Sequence, residues 1–349
     1  MNNLECRLHN SVTKISFVAK NEIADVSAPV STAVVFDTNT DKLFSPSVST
    51  QSEVLQVVLP AGEQHKTWES ILKIITAGME GGLGRDGTFV GVGGGVICDM
   101  TGFAAAVYMR GCRLVLVPTT LLAMVDAAIG GKTGIDFEGY KNIIGSFYPA
   151  EEVRICLDSL DTLPAREYLC GLAEIIKHAL LSDRYLFELL ESESAAIISR
   201  ERTLLEEIVE RAIRVKVDIV EKDFLESGLR ELLNLGHTFA HALESVTSFS
   251  GWSHGEAVAW GVVKALETGV RLGITGQEYL DRVQRLLHSY GYRTESGVSP
   301  EKLISAMKKD KKKREGEVRF VLQRTLGDTF TRPVALPLVK EVLAAEKTS

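Results

Sequence analysis

The feature that most constrains the fold is an alternation of short β-branched runs with helical patterns through the first half of the chain. Strands are predicted at residues 33–36, 54–59, 89–92, 113–117 and 153–157, with helices at 68–79 and 100–111 among them. This alternation is typical of a parallel sheet covered by helices. From about Asp161 onward the pattern is almost wholly helical. The sequence therefore predicts an α/β fold, in which a Rossmann-like parallel-sheet domain over residues 1–160 precedes a mainly α-helical domain over 161–349.

Composition limits what such a protein can bind. The chain has 349 residues. A single hydrophobic core rarely extends over so long a chain, so two domains are expected. Its formal net charge of -7 argues against nucleic acid as a partner, because binding phosphate backbones requires a basic surface. The five cysteines are widely spaced and never form CxxC, which is typical of a reducing cytoplasm. Because no signal segment opens the chain and no apolar run approaches the roughly 20 residues of a spanning helix, we expect a soluble cytoplasmic protein without a membrane partner.

Three of the seven histidines, His237, His241 and His254, fall within one short stretch that indicates a metal site. His237 and His241 lie four residues apart in a helical pattern over 232–243, so both imidazoles should lie on one helix face. Imidazole is a common ligand for zinc, and a catalytic zinc site has three protein ligands and one open position. The third ligand is either His254 or a carboxylate. The alternative is that His241 and His254 are only capped or solvated, but the glycines beside His237 and His254 indicate close backbone approach.

A run of three glycines, Gly93 to Gly95, joins a predicted strand to the next helix. Backbone amides at such a junction can approach a pyrophosphate at the positive end of the helix dipole. The GxGxxG order of the common dinucleotide fingerprint is absent, so the run by itself is weak evidence. Asp37, just after a strand, either accepts hydrogen bonds from ribose hydroxyls or forms a turn. The polar loop over residues 62–66 also follows a strand end, where α/β proteins bind ligands.

A second glycine-rich stretch, GGKTG from Gly130, lacks the spacing of a P-loop, so a P-loop NTPase is excluded. Lys132 within it still suits a phosphate or a carboxylate, and a further polar loop is predicted around Lys141. In the helical half, Glu174 and Lys177 lie one turn apart. They form either a plain ion pair or a metal ligand beside an anion contact.

Eleven motifs, in order and without a missing block, resemble those of the 3-dehydroquinate synthase family between about residues 37 and 319. They are GGGV at Gly93, YMRG at Tyr108, PTTLLA at Pro118, VD at Val125, GGKTG at Gly130, KNIIGSFY at Lys141, GLAEIIKH at Gly171, GLR at Gly228, LNLGHTFAHALE at Leu233, HGEAVA at His254 and MKKDKK at Met307. The resemblance implies a homodimeric lyase of the shikimate pathway that uses NAD and one divalent metal ion, zinc or cobalt. It would convert 3-deoxy-D-arabino-heptulosonate 7-phosphate into 3-dehydroquinate and phosphate.

The same matching implies which residues form the site. The metal ligands would be Glu174, His237 and His254. NAD would contact Asp37, Asn39, Gly62, Glu63, Gln64, His65, Lys66, Gly95, Val96, Ile97, Cys98, Asp99, Thr119, Thr120, Lys132, Lys141, Ser159, Leu160, Asp161 and Thr162. The catalytic and substrate contacts would be Asp126, Lys132, Asn142, Lys177, Lys216, Arg230, Asn234, His241 and Lys311 or Lys312, with Arg110 reaching across a dimer interface. The many cations suit a substrate that carries both a phosphate and a carboxylate.

The implied mechanism uses NAD transiently. NAD takes a hydride from a ring carbinol whose oxygen lies on the metal, phosphate is eliminated, and NADH returns the hydride. The ring then opens and recloses by an intramolecular aldol step, for which the protein mainly holds one conformer.

Three functions are alternatives to 3-dehydroquinate synthesis. They are another sugar phosphate cyclase, a metal-dependent polyol dehydrogenase that would release NADH, and a nucleotide-binding regulatory protein without activity.

The chain departs from the family pattern at three points. Cys98 stands where glycine is usual, Ala127 and Ala128 replace serines, and Asp136 stands where many members have asparagine. None of these changes removes a metal ligand or a cation. Cys98, close to a helix N-terminus, is either a reactive thiol that bound NAD protects or a buried, inert one.

Overall fold

The computed structural model describes residues 3–23, 31–48, 54–247, 251–311 and 318–346, without the side chains of 46–48 and 309–311. The chain divides into two compact units, Met1–Pro164 (unit 1) and Ala165–Ser349 (unit 2). Among the described residues, no helix combines the length and the apolar character needed to cross a membrane.

Unit 1 is built on a seven-stranded sheet. Its strands are β1 (Leu4–Leu8), β2 (Ser11–Phe17), β3 (Thr32–Asp37), β4 (Val54–Leu59), β5 (Thr88–Gly93), β6 (Arg113–Pro118) and β9 (Glu152–Ile155). The helices are α1 (Asp41–Val48), α2 (Trp68–Glu80) and α3 (Gly95–Val107), with short helical turns that include Ala123–Ala127 and Leu157–Thr162. The strands β7 (Lys132–Phe137) and β8 (Tyr140–Phe147) form a separate antiparallel hairpin.

The order of the large sheet is β1-β2-β9-β6-β5-β3-β4, and all neighbours except β1 and β2 run parallel. β3, β5 and β6 are buried along nearly their whole length. Central strands of a parallel sheet have both faces covered, which is why these three segments read as continuous apolar runs. Val34 and Phe36 of β3, together with two valines each from β5 and β6, pack with Phe44 of α1 in one core cluster.

The strand order places two of the predicted ligand segments at one position of the sheet. The chain passes from β3 to β4 on one side and then returns to β5 on the other side of β3. The carboxyl ends of β3 and β5 therefore flank the switch point, where open α/β sheets bind ligands. Asp37 ends β3, and Gly93 ends β5.

Several details predicted for unit 1 are wrong. The last three residues of the GGKTG stretch begin β7, and the predicted loop around Lys141 is β8; Gly134 pairs with Gly145 between them. Alternation is weak in these glycine-containing strands, so the local pattern resembles a loop. The helix predicted at 100–111 begins at Gly95 and ends at Val107, and the last predicted strand ends at Ile155. Strands β1 and β2 were not predicted.

Unit 2 is largely helical. Its helices are α4 (Ala165–Ser182), α5 (Arg184–Ser192), α6 (Ser194–Ile198), α7 (Arg202–Lys222), α8 (His237–Val246), α9 (His254–Arg271), α10 (Gln277–Ser289), α11 (Pro300–Lys311) and α12 (Leu336–Ala344). A 3-10 helix at Leu229–Asn234 precedes α8, and the strands β10 (Arg319–Thr325) and β11 (Asp328–Pro333) form a hairpin. Helix α9 is central, since it packs against α4, α8, α10, α12 and β10. The α/β class predicted from the sequence is confirmed, although the hairpin interrupts the helical pattern expected for this half.

The histidine stretch is not one helix as predicted. The segment Leu229–Asn234 is a 3-10 helix, and Gly236 has a left-handed φ of 82° before α8 starts at His237. The apolar spacing continues across this break, because both segments bury leucines. Periodicity alone therefore could not reveal the break.

Candidate metal centre and nucleotide-binding residues

Glu174, His237 and His254 come together in unit 2 and could hold a metal ion. One ligand atom from each residue lies within 4.8 Å of the other two. Oε1 of Glu174 is 3.7 Å from Nε2 of His237 and 3.5 Å from Nε2 of His254. Two imidazole nitrogens and one carboxylate oxygen form a donor set typical of a catalytic zinc or cobalt site.

Three helices supply the three residues, and glycines allow those helices to approach. His237 and His254 are the first residues of α8 and α9, while Glu174 lies within α4. A Cβ at Gly255 would lie 2.4 Å from the carbonyl oxygen of Cys170, and one at Gly236 would lie 2.7 Å from the amide nitrogen of Val262. Real Cβ atoms do not approach backbone so closely, so only glycine fits at either position. The close backbone approach predicted beside His237 and His254 is thereby confirmed.

The start of α9 is fixed by side-chain caps. Ser253 and Glu256 form a reciprocal capping box, which satisfies two amides at the helix N-terminus. Glu256 also accepts a hydrogen bond of 2.9 Å from Arg166. His254, between the two capping residues, therefore has a fixed backbone position.

The second ring nitrogen of each histidine also has a partner. Nδ1 of His254 lies 3.2 Å from Oε1 of Glu244, and Nδ1 of His237 lies 3.3 Å from the carbonyl oxygen of Leu235. Metal-binding histidines usually donate their other N–H to a carboxylate or a backbone carbonyl, which fixes the tautomer and the ring orientation. Sequence reasoning missed Glu244, although its place two turns after His237 on α8 puts it on the same helix face.

Glu174 is fully buried, and its two oxygens form no hydrogen bond within the described part of the chain. The ammonium of Lys177 pairs with Oε2, and Lys177 is itself only 1% exposed. Burial alone would raise the pKa of Glu174, but Lys177, His254 and His237 hold that pKa well below its usual value. This carboxylate therefore stays ionised beside two imidazoles, a state that allows it to bind a cation as well as to pair with Lys177.

The two histidines differ in protonation. Burial and the charge of Lys177 hold the pKa of His237 well below its usual value, so this ring is neutral and can donate a lone pair. Burial lowers the pKa of His254, but the neighbouring carboxylates of Glu174 and Glu244 raise it more, to about 10. A cation bound here would replace a proton on His254, since metal ions and protons compete for the same ring nitrogen.

The remaining predicted residues of unit 2 lie on elements that pack against one another. Helix α4 packs against α7, which carries Lys216, and against the 3-10 segment that carries Arg230 and Asn234. Lys216 and Arg230 are buried, at 5% and 2% exposure. His241 is exposed, and its ring centroid lies 5.4 Å from that of His237. The side chain of Lys311 and all of Lys312 lie outside the described residues.

Asp223 holds the loop that leads to Arg230. Its carboxylate accepts hydrogen bonds from the backbone amides of Ser227, Gly228 and Arg230, all between 2.8 and 2.9 Å. The guanidinium of Arg230 donates to the carbonyl of Phe224 at 2.6 Å. Sequence reasoning did not identify Asp223, because an acidic residue after a helix has no distinctive local pattern.

In unit 1, one lysine joins three predicted contact segments. Nζ of Lys66 lies 2.6 Å from Oδ2 of Asp99 and 2.5 Å from Oδ1 of Asn142. The backbone amide of Asn142 donates to Oδ1 of Asp136 at 2.8 Å. Asp136, which stands where many family members have asparagine, thus provides a carboxylate acceptor for this amide. The 62–66 loop, helix α3 and the β7–β8 hairpin therefore meet around Lys66, which is 3% exposed.

The glycine run begins α3 as the sequence predicted. Gly94 precedes the helix and Gly95 is its first residue. A Cβ at Gly95 would meet only the Cβ of Ala127, at 3.2 Å. Thr119 and Ser159 lie nearby, because the amide of Thr119 donates to the carbonyl of Gly93 and the hydroxyl of Ser159 donates to the carbonyl of Thr119.

The structure decides between the two readings of Cys98 and shows one role of Asp37. Cys98 is 1% exposed, and burial raises the pKa of its thiol, so the reactive alternative is wrong and the inert one is favoured. Oδ1 of Asp37 accepts hydrogen bonds from the amides of Asn39 and Thr40, at 2.9 and 2.8 Å. Asp37 therefore forms a turn, and its contact with a ribose stays a prediction.

Other predicted residues occupy the ends and turns of unit 1. Asp126 lies in the π-helical turn Ala123–Ala127, Thr120 accepts a hydrogen bond from the amide of Ala123, and Lys132 is the exposed first residue of β7. Lys141 pairs with Glu63 at 3.6 Å, and Leu160, Asp161 and Thr162 lie with Ser159 in one 3-10 helix. Arg110 is exposed and has a left-handed φ of 66°.

Comparison with solved structures defines the class of protein first. A 2-epi-5-epi-valiolone synthase from Streptomyces hygroscopicus subsp. jinggangensis, solved with NAD+ and Zn2+ bound, is 27% identical, with a TM-score of 0.88 over 97% of each chain. A 2-deoxy-scyllo-inosose synthase solved with carbaglucose-6-phosphate, NAD+ and Co2+ has a TM-score of 0.89 over 99% of this chain and 100% of that one, at 22% identity. The fold is therefore that of the sugar phosphate cyclases.

Sequence comparison then identifies the family. The sequence profile described as 3-dehydroquinate synthase N-terminal matches residues 56–170, and that described as 3-dehydroquinate synthase C-terminal matches residues 171–313. A 3-dehydroquinate synthase from Acidithiobacillus ferrooxidans is 42% identical over 301 residues, which are 84% of this chain and 83% of that protein. The chain belongs to the 3-dehydroquinate synthase family. The predicted family, enzyme class and shikimate-pathway function are confirmed.

Proposed function

We propose that this chain performs 3-dehydroquinate synthesis with one divalent cation, zinc or cobalt, held by Glu174, His237 and His254, and with NAD held by unit 1. The substrate is 3-deoxy-D-arabino-heptulosonate 7-phosphate, and the products are 3-dehydroquinate and phosphate. One observation carries the proposal: a buried carboxylate, the buried imidazole of His237 and the half-buried imidazole of His254 bring one ligand atom each within 4.8 Å of the others, while the opposite ring nitrogens have acceptors. The solved relatives with NAD+ and with Zn2+ or Co2+ support the choice of cofactors.

The bound groups supply chemistry that side chains lack: the cation acts as a Lewis acid toward a substrate oxygen, and NAD accepts and returns a hydride. The chain itself binds and orients. Lys177, Lys216 and Arg230 are buried cations that suit the phosphate and carboxylate of the substrate. Asn234 and His241 add hydrogen-bonding groups beside them, as Lys132, Asn142 and Asp126 do in unit 1.

NAD is proposed to lie at the switch point of the sheet. Asp37 and Asn39 after β3, the 62–66 loop after β4, and the amides from Gly95 to Asp99 after β5 all lie at carboxyl ends of strands. Amides at the start of α3 suit a pyrophosphate because the helix dipole is positive there. Thr119, Thr120, Lys141 and the Leu157–Thr162 turn complete the proposed contacts.

The assembly and the compartment are also proposals. A homodimer with Arg110 contributed by the partner follows the family resemblance. A reducing cytoplasm is supported by five cysteines that are all buried and widely spaced along the chain. The substrate is a small anion, and the formal charge of -7 gives no support for nucleic acid as a partner.

The test is an assay of phosphate release from 3-deoxy-D-arabino-heptulosonate 7-phosphate, with and without NAD, while absorbance is followed at the reduced-nicotinamide band. We expect phosphate release that requires only catalytic amounts of NAD and no accumulation of NADH. An NADH signal that rises in proportion to product would instead support a dehydrogenase. No phosphate release from the metal-loaded protein would rule out the proposed reaction.

A further inference from the structure

His254 lies between two carboxylates. Its Nε2 lies 3.5 Å from Oε1 of Glu174, and its Nδ1 lies 3.2 Å from Oε1 of Glu244. Glu174 is one of the three candidate cation ligands, whereas Glu244 is not a member of that cluster. Nε2 of His254 therefore faces the proposed cation position, whereas Nδ1 faces Glu244.

Glu244 is itself buried, at 5% exposure, on helix α8. A buried carboxylate is costly unless a donor or a positive charge stabilises it, so its position against an imidazole indicates a specific contact. An ionised carboxylate can only accept hydrogen bonds. Nδ1 of His254 must then carry the hydrogen, which leaves the lone pair of Nε2 directed at Glu174 when a cation is bound.

His237 provides a comparison within the same site. Its Nδ1 faces the backbone carbonyl of Leu235 at 3.3 Å, so the backbone orients this ring. Because α8 carries both His237 and Glu244, one helix supplies a ligand directly and also orients the ligand on α9. The orientation of His254 therefore depends on a side chain, that of Glu244, which a substitution can remove, whereas His237 is oriented by the backbone.

We propose that Glu244 is a positioning residue of the cation site, which fixes the tautomer and the orientation of His254 and so strengthens cation binding. The inference rests on the proposed function, because it assumes a cation on Glu174, His237 and His254. It adds to that function a residue that acts through a ligand and does not touch the substrate.

The experiment measures the dissociation constants of Zn2+ and Co2+ for the full chain by competition with a chelator, for the wild type, Glu244→Ala and Glu244→Gln. Removing an outer-shell partner of a metal-bound histidine typically weakens metal affinity by roughly 10- to 100-fold, and we expect Glu244→Ala in that range. Glu244→Gln keeps the shape and an acceptor oxygen but loses the charge, so its loss should be smaller. The absorption spectrum of bound Co2+ should also change.

Glu267→Gln is the matched control. Glu267 lies on α9 as His254 does, but about 20 Å further along the helix, and its carboxylate pairs with Lys264. We expect its cation affinity to equal that of wild type. The melting temperature of each metal-free variant separates a lost fold from a lost ligand orientation.

The outcomes are distinct. If folded Glu244→Ala and Glu244→Gln both bind Zn2+ within twofold of wild type, the positioning role is wrong. If Glu244→Ala does not fold, the isosteric Glu244→Gln decides by the same criterion. A wild type that binds cation but releases no phosphate would reject the proposed function and leave the role of Glu244 standing. A wild type that binds neither Zn2+ nor Co2+ would overturn both.

Discussion

The two units present their predicted ligand residues in opposite ways. In unit 1 many of the predicted nucleotide residues lie at or near strand ends, and some of them, such as Lys132 and Lys141, are exposed, although Lys66 is buried. In unit 2 the chemistry is carried by charged side chains that are almost wholly buried, with Glu174 and Lys177 at 0% and 1% exposure. Burying a charge is expensive unless it is paired, so the second arrangement requires many mutually supporting contacts.

Glycine shows the same contrast. At Gly95, the first residue of α3, a Cβ would meet only one methyl group, that of Ala127 at 3.2 Å, which a shift of a few tenths of an ångström relieves. At Gly255 a Cβ would lie 2.4 Å from a backbone oxygen, so the glycine lets two helices touch. The comparison predicts that replacing Gly95 in unit 1 weakens a ligand at little cost in stability, whereas replacing Gly255 in unit 2 lowers the stability itself.

The largest expected effect is the loss of a cation ligand. His237→Ala should lower phosphate release by at least roughly 10³-fold, because the Lewis acid contributes several kcal/mol and one of its ligands is gone. The fold should remain largely intact, since apolar helix faces already hold α4, α8 and α9 together. Metal content and turnover are to be measured beside His288→Ala, an exposed histidine on α10 that should leave both unchanged. If His237→Ala and a chelated wild-type sample both kept near-normal turnover, the assignment of a metal ion to this site would be wrong.

The next effect tests the close contact of α4 and α9. Gly255→Ala should lower the free energy of unfolding by about 3 kcal/mol, because its Cβ would overlap the backbone of Cys170 and overpacking is not relieved by a side-chain rotation. Gly276→Ala is the control, since nothing lies within 4 Å of its Cβ and its φ is −73°. Urea unfolding of both variants provides the comparison, and equal stabilities would show that these helices do not require glycine.

Asp223 connects stability in unit 2 to pH. Backbone hydrogen bonds from Arg230, Ser227 and Gly228 hold the pKa of Asp223 well below its usual value. A lowered folded-state pKa gives stability that is present above the unfolded-state pKa of about 4 and is lost as pH falls through the folded-state value. Asp223→Asn should therefore cost about 2 kcal/mol at neutral pH and progressively less below about pH 4.

Urea unfolding between about pH 2 and 7 measures this difference. Asp218→Asn, on the same helix α7 but exposed, should stay within about 0.5 kcal/mol at every pH. A cost for Asp223→Asn that does not change with pH would mean that the carboxylate charge is not what holds the loop before Arg230.

A smaller effect is expected in unit 1. Gly95→Ala should weaken NAD binding by roughly tenfold, because a side chain at this turn keeps a pyrophosphate from the amides. Its stability should change by less than about 1 kcal/mol, since alanine is a good helix former. Ala106→Gly, later in α3, should do the reverse, with lower stability and unchanged NAD affinity. Calorimetric titration with NAD and urea unfolding of both variants would show whether ligand binding and stability are separate in this unit.

The smallest effect is the expected absence of a reaction. Cys98 should not be alkylated in the native protein, with or without NAD, because its thiol is buried and its pKa is raised. Peptide mass mapping after alkylation, with the urea-unfolded protein as positive control, measures this. Rapid labelling that NAD suppresses would restore the reactive alternative and place a ligand at the start of α3.

Much of the fold could be predicted because the relevant signals are local. Five of the strands in unit 1 are short β-branched runs, and α2 and α7 carry strong helical periodicity. The β7–β8 hairpin could not be predicted in the same way, because its glycines weaken the alternation. The break before α8 was also hidden, since a left-handed glycine leaves the apolar spacing unchanged.

The sequence by itself determined the chemical types available: two histidines beside glycines, a carboxylate in a helical pattern, and a glycine run after a strand. It did not determine which atoms meet. Three contacts join residues on different elements: Glu174 meets His237 and His254, Glu244 meets His254, and Lys66 bridges to Asn142. Only the tertiary structure decided these contacts, because periodicity records the face on which a side chain lies, whereas helix packing sets its partner.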